Sequence, residues 1–198
     1  MDFTAELLEW YRVHRRYLPW KQTGDPYKIW LSEIILQQTR VEQGEPYYRQ
    51  FTERFPTVQA LAAAPLDEVL RLWQGLGYYS RARHLHHTAQ QIVAEHGGRF
   101  PRSREALLKL KGIGPYTAAA IASFAFKEAV PAIDGNGYRI LSRVFGIEEP
   151  ADTDAGKKLF AEIAAELIPA AHPDDFNQAL MDFGSLVCTP RPLCAGCP

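Results

Sequence analysis

The segment Leu110–Gly137, LKGIGPYTAAAIASFAFKEAVPAIDGNG, sets the reading of the chain. It reads as the end of one helix, a Gly-Ile-Gly turn, a second helix, an extended Val-Pro-Ala-Ile piece and an Asp-Gly-Asn cap. Gly112 and Gly114 bracket one apolar residue, so the backbone can turn sharply with its N–H groups outward, where Cβ atoms would crowd an incoming group. Pro115 suits the first turn of the following helix, because its missing N–H would have had no partner there. N–H groups at such a helix start form a site for a phosphate. Asp134 stands where a carboxylate caps the next helix, expected from Gly135 to Phe145. On the Gly-x-Gly turn alone, an ordinary capped helical hairpin explains the same residues, since such turns are common.

The 198 residues suffice for one large domain or two small lobes with a substantial core. Hydrophobic residues make up 46% and charged residues 23%, as in an ordinary globular protein. No apolar run approaches a membrane span, and Met1-Asp2-Phe3-Thr4 lacks the basic-then-apolar build of a signal peptide, so an intracellular protein without a membrane partner is expected. The net charge of −1 gives no global signature of nucleic-acid binding. Arg71, Arg81, Arg83, Arg102, Arg104, Lys109 and Lys111 nevertheless gather in the middle, and acidic residues gather later, so a local basic face can still grip a phosphate backbone. Cys188, Cys194 and Cys197 all fall in the last eleven residues. Disulfides of a secreted domain would be spread and paired, so this clustering points to a metal or cluster site.

Periods near 3.6 recur throughout, giving roughly ten or eleven helices and no convincing strand. A first helix carries Phe3, Leu7, Leu8 and Tyr11 and closes near Leu18-Pro19. A loop from Lys21 to Asp25 leads to a second helix, from Tyr27 to about Gln38. Glu45-Pro46 opens or kinks a third. Further helices are expected over Leu66–Trp73, Ser80–His96, Ser103–Leu110, Asp152–Ile168 and Pro173–Leu186. The fold class is all-α. In the second helix Glu33 flanks a buried stripe of Tyr27, Leu31, Ile34 and Ile35, with Trp30 three residues before it and Gln37 four after. A lone Glu on such a helix is ordinarily solvated. Partly apolar surroundings would instead raise its pKa and suit it to donate a proton.

Hairpin, Gly/Pro step and Asp, in this order and spacing, resemble the helix-hairpin-helix-Gly/Pro-Asp motif of the base-excision DNA glycosylase superfamily. LSEIILQQTRV, residues 31–41, resembles the active-site helix of the MutY-type adenine-DNA glycosylases, which remove adenine opposite 8-oxoguanine or guanine. Leu18-Pro19-Trp20, the loop Gly75-Leu76-Gly77-Tyr78-Tyr79-Ser80-Arg81-Ala82-Arg83 and the run from Phe176 to Gly184 match the same family, so the likeness extends from about residue 5 to the end. It implies two lobes, a helical barrel over 26–130 and a second over 1–25 plus 131–198, with double-stranded DNA and its flipped base in the cleft between them. It also implies a monomer, cytoplasmic or nucleoid-associated, that stops before the family's second, 8-oxoguanine-reading domain.

The resemblance assigns roles as well. Glu33 protonates N7 of the adenine, Asp134 stabilises the sugar cation, and Asn136 orients Asp134. Gln38 and Tyr78 intercalate, Gly112 and Gly114 hold a phosphate, and Trp20 and Gln178 line the adenine pocket. By residue type alone, Gln38 and Tyr78 are equally surface residues and Trp20 a core one. Tyr116 stands just after the hairpin, where endonuclease III-type relatives carry a Schiff-base lysine. No lysine follows before Lys127, which favours a monofunctional, hydrolytic enzyme over that type or over a non-catalytic DNA-binding module. Two departures stand out. A [4Fe–4S] cluster takes four thiolates, whereas this chain offers three, with five residues between Cys188 and Cys194 and two between Cys194 and Cys197. The cluster is therefore expected to be incomplete or absent, with the segment after about Leu186 loosely ordered; zinc with an outside ligand is the alternative. Gly137 replaces a branched apolar residue of the family and is expected to weaken its helix by up to about 1 kcal/mol.

Overall fold

The computed structural model describes residues 2–198 as eleven α-helices and two 3-10 turns, with no strand among the described residues. The helices are α1 (Phe3–His14), α2 (Pro26–Ile35), α3 (Val41–Arg54), α4 (Val58–Ala63), α5 (Leu66–Leu72), α6 (Ser80–His96), α7 (Arg104–Leu107), α8 (Pro115–Phe126), α9 (Gly135–Phe145), α10 (Asp154–Leu167) and α11 (Pro173–Leu186). The short turns are Pro19–Lys21 and Cys194–Gly196. No helix among the described residues is long and apolar enough to cross a membrane.

The chain divides into two units. One joins the stretch up to Tyr17 to Lys127–Pro198, and the other is Leu18–Phe126. The boundaries fall at 18 and 126, against the expected 26 and 130. Residues 18–25 go with the second unit because Pro19–Lys21 packs on α2 and Trp20 meets Tyr48 edge-to-face at 5.2 Å.

In the second unit α8 is apolar all round, the pattern of a buried helix. Its Ala118, Ala119, Ala120 and Ala122 are buried and small, which lets α2 and α7 approach it. Trp30, Phe51, Phe55 and Trp73 fill the space between α2, α3, α5 and α6. In the first unit α1, α9 and α11 bury Leu7, Trp10, Tyr11, Ile140, Phe176, Leu180 and Phe183 together. Asp182, fully buried on α11, accepts from Arg16 through both Nε at 2.7 Å and the backbone N–H at 3.0 Å, which compensates its charge.

Local details differ from the sequence expectation. α2 stops at Ile35 rather than Gln38, because Leu36–Gln38 forms a turn in which Gln38 is left-handed, with φ 55°. α3 starts at Val41 and runs through Pro46; the N–H that Pro46 lacks leaves only the carbonyl of exposed Glu42 for water to satisfy. α4, capped by Thr57, is an added short helix, and α7 spans only Arg104–Leu107 before the chain turns. Gly137, expected to weaken its helix, stands where packing leaves no room for a side chain. A Cβ there would lie 2.8 Å from Ile133 Cγ2, so a side chain would displace the approach to Asp134.

Candidate active site

Asp134 caps α9 in an extended conformation. Its Oδ1 accepts from the backbone N–H groups of Asn136 and Gly137, each at 2.9 Å. Its Oδ2 accepts from Asn136 Nδ2 at 2.8 Å. All three contacts are donors, which is the environment of an ionised carboxylate at a helix N-terminus. The Asn136 amide cannot be flipped. Its Oδ1 accepts from Arg139 Nη2 at 2.6 Å, and a guanidinium can only donate, so Nδ2 must face Asp134. Arg139 is fixed in turn by the carbonyls of Cys188 at 2.8 Å, Gly184 at 2.8 Å and Gly135 at 3.4 Å.

Helix α11 is the scaffold for this network. Asn177, fully buried, accepts from Ala132 N at 2.9 Å and donates to Val130 O at 3.0 Å, which pins the extended strand-like approach to Asp134. At Gly184 a Cβ would stand 2.4 Å from Asn136 Cβ, so only glycine lets α9 and α11 come this close. Gln178 is half-buried and accepts from the Tyr11 hydroxyl at 3.0 Å. Burial, and next Asp182, push the Tyr11 pKa well up, so its phenol stays a donor.

In the second unit Glu33 lies in the last turn of α2, half-buried, three positions after buried Trp30 and one before buried Ile34. Gln38 is exposed three residues beyond that helix, and Tyr78 is 64% exposed in the turn before α6. Both adopt the left-handed conformation, with φ 55° and 44°. Trp20 is buried against Tyr48. A cavity of about 490 Å³ lined by Asp25, Tyr27, Thr57, Gln59, Arg99 and Phe126 holds none of the expected site residues.

The hairpin turn is tied to α6. Lys111 N donates to Gln91 Oε1 at 3.1 Å, and the Thr88 hydroxyl bonds the Lys111 carbonyl. Gly112 is left-handed, with φ 82°, and a Cβ would lie 3.0 Å from His84 Cβ. Gly114 is exposed, and a Cβ on it would meet nothing within 4 Å. Tyr116 sits half-buried in the first turn of α8. Lys127 lies beyond that helix in the first unit, paired with Asp174.

The start of the segment after Leu186, expected to be loosely ordered, is tied to Arg143 of α9. Cys188 is buried, and Arg143 donates to its Sγ at 3.4 Å, to Thr189 O at 2.7 Å and to Pro190 O at 3.1 Å. Burial, then the neighbouring Cys188 and Cys194, raise the Cys197 pKa. That influence reaches further than a metal bond, however. No three His, Cys, Asp or Glu side chains among the described residues are grouped to hold a metal. The three thiols of residues 188–197 are one fewer than the four thiolates that a [4Fe–4S] cluster takes.

Asp134 with Asn136, and the two loops bearing Gln38 and Tyr78, are thus assembled within their own units. Arg139, Asn177 and Gly184 are the residues to which sequence reasoning gave no role. Asn177 and Gly184 lie inside the quoted run 176–184, and Arg139 stands three residues after Asn136 on one helix face, the only local signal for it.

Residues 31–166 match the family model described as HhH-GPD superfamily base excision DNA repair protein. An adenine DNA glycosylase of Homo sapiens is 45% identical across 99% of this chain, and one of Mycolicibacterium smegmatis is 44% identical across 98%. The chain spans 38% of the human relative and 66% of the mycobacterial one. Among solved structures, a thermostable thymine-DNA glycosylase superposes with TM-score 0.91 at 33% identity, covering 98% of this chain and 90% of that one. A trapped endonuclease III–DNA covalent intermediate superposes with TM-score 0.83 at 21% identity, covering 98% of this chain and 89% of that one, a likeness of fold alone.

Proposed function

This chain belongs to the HhH-GPD superfamily of base excision DNA repair proteins, and from that membership we propose that it is a monofunctional DNA glycosylase that hydrolyses the N-glycosidic bond of adenine mispaired with 8-oxoguanine or guanine. The observation that carries the proposal is Asp134, held by three donors with none of its bonds made to an acid. Breaking the bond from base to sugar builds positive charge at C1′, and a fixed ionised carboxylate offsets that charge where it develops. Glu33 protonates adenine N7 so that the base leaves neutral, which requires a carboxyl in partly apolar surroundings. Water then adds at C1′ and gives up its proton to the Glu33 carboxylate, which restores the acid. Tyr116, in place of a lysine at the start of α8, supports hydrolysis without a Schiff base.

The adenine leaves the stack first, at roughly a few kcal/mol. Gln38 and Tyr78 fill the gap, Gly112 and Gly114 present N–H groups to a phosphate, and Trp20 and Gln178 line the base pocket. The partner is double-stranded DNA, bound by an intracellular monomer. No step passes through the cysteines. The identity of the base follows the adenine DNA glycosylase relatives. Thymine is the second reading, favoured by the 33% identity to the thymine-DNA glycosylase.

Single-turnover release from A:8-oxoguanine, A:G, G:T and thymine-glycol duplexes separates these readings, and borohydride trapping reports any lyase. Release from A:8-oxoguanine or A:G, without trapping, is expected. Glu33→Gln should lower that release by on the order of 10²–10⁴-fold with duplex binding nearly intact. Preferential release of thymine would replace the adenine reading, and near-normal release by Glu33→Gln would remove Glu33 from the role of acid.

A further inference from the structure

We propose that Arg81 is a positioning residue that locks the loops of Gln38 and Tyr78 into one preformed wedge; this rests on the glycosylase reading above. Its guanidinium sits where α2 ends. Nη1 donates to the carbonyls of Ile34 at 3.1 Å and Ile35 at 3.0 Å, to that of Gln37, and more weakly to Thr39 Oγ1 at 3.4 Å. Nη2 donates to Leu76 O at 3.1 Å, in the turn that presents Tyr78. The guanidinium carbon lies 5.1 Å from the Trp73 ring centre and 5.6 Å from that of Tyr78. Trp73 Nε1 secures the same turn by donating to Gly77 O at 2.9 Å. One side chain therefore joins two loops some forty residues apart in sequence, both within the second unit.

Two features show that the wedge geometry is imposed. Gln38 and Tyr78 are non-glycine residues at positive φ, a conformation that persists only where surroundings over-determine it. Arg81 bonds the carbonyl just before Gln38 and stacks on Tyr78 itself. Its own Nε is buried without a partner, so the carbonyl cage, not the best use of its donors, dictates where it sits. A side chain that enters a base stack must offset unstacking. Ordering it beforehand removes from binding the separate cost of fixing its own conformation. Lysine keeps the charge but has no planar fork to hold both loops at once.

The test uses the intact chain and a duplex with 2-aminopurine beside the target adenine. Wild type should raise the fluorescence by unstacking. Arg81→Lys should lose most of that rise while duplex affinity changes only severalfold. Amides of residues 36–39 and 75–79 should exchange about tenfold faster together, with those of α8 unchanged. In a Gln38→Ala/Tyr78→Ala background, Arg81→Lys should add no further loss of base release, the mark of action through those residues. A full fluorescence rise in Arg81→Lys, or additive losses, overturns the inference. Exchange in the unmodified protein guards against misfolding of the variant: the two loops should open as one unit, and independent opening also overturns it. Wild-type release of adenine without a fluorescence rise would sink the wedge and leave the glycosylase reading standing. Unstacking without release from any duplex would do the reverse.

Discussion

Asp134 and Tyr78 are fixed in opposite ways. The bonds to the Asp134 carboxylate come from its own helix start, and Arg139 ties that start to α11 and the Cys188 carbonyl. Tyr78 presents an exposed ring and is held from behind, by Arg81 and the Trp73–Gly77 bond. The first arrangement leaves a charge that need not move when DNA arrives. The second leaves a side chain whose front is open and whose backbone is already set. In the proposed reaction the chemistry needs the one and duplex entry the other, and in each an arginine is clamped on backbone carbonyls.

The largest expected effect breaks the first arrangement at its centre. Asparagine at 134 retains an acceptor for the N–H groups of Asn136 and Gly137, so the cap should survive with little loss of stability. Its amide would, however, face Asn136 Nδ2, and it carries no negative charge. Single-turnover excision by Asp134→Asn should fall by on the order of 10³-fold, while its Tm shifts by only a few degrees. Excision that survives with intact stability would reduce Asp134 to a cap.

Arg139→Lys comes next. Lysine has one compact ammonium where the structure uses three nitrogens on four acceptors. Asn136 then loses its fixed amide orientation and Asp134 its Oδ2 donor. Excision should fall by on the order of 10²-fold, the scale of a 1 Å misplacement, with duplex affinity unchanged. Equal losses in affinity and rate would mean that Arg139 supports folding of the unit rather than the carboxylate. Gly184→Ala attacks the same network by volume. A Cβ 2.4 Å from Asn136 Cβ should cost about 1–3 kcal/mol in urea unfolding and roughly tenfold in rate.

These residues also mark how far the sequence could be read. Asp134 was legible because a helix cap is local chemistry, decided by residues two and three positions away. The runs of α6 and α11 were legible from their periods and bounded as expected. Arg139 was not, because its carbonyl partners at Gly184 and Cys188 are 45 and 49 residues distant. The end of α2 failed for the same reason. Apolar periodicity continues through Leu36, but Arg81, more than forty residues away, takes the carbonyls that another turn would have used. Gly137 shows the limit of propensity. Its helical disadvantage is small beside the clash that any Cβ would make with Ile133.

The hairpin turn holds both arrangements two residues apart, and it carries the smallest expected effect. Gly112 is fixed from within: its φ of 82° and the nearness of His84 both require glycine. Gly112→Ala should destabilise the chain by about 1–2 kcal/mol, the penalty of a left-handed L-residue. Gly114 has neither constraint. Its φ is not in the left-handed region, and a methyl group would stand in open space. By restricting the unfolded chain, Gly114→Ala should raise stability by about 0.4–1 kcal/mol. Yet if the outward N–H groups take a phosphate, that methyl lies in the path of the approaching backbone, and duplex affinity should drop severalfold with a matching loss of salt dependence. Urea unfolding and a salt titration of binding on the two variants read the two quantities separately. A Gly114→Ala protein that is both more stable and equally tight on DNA would remove the turn from the interface and leave it an ordinary helical hairpin.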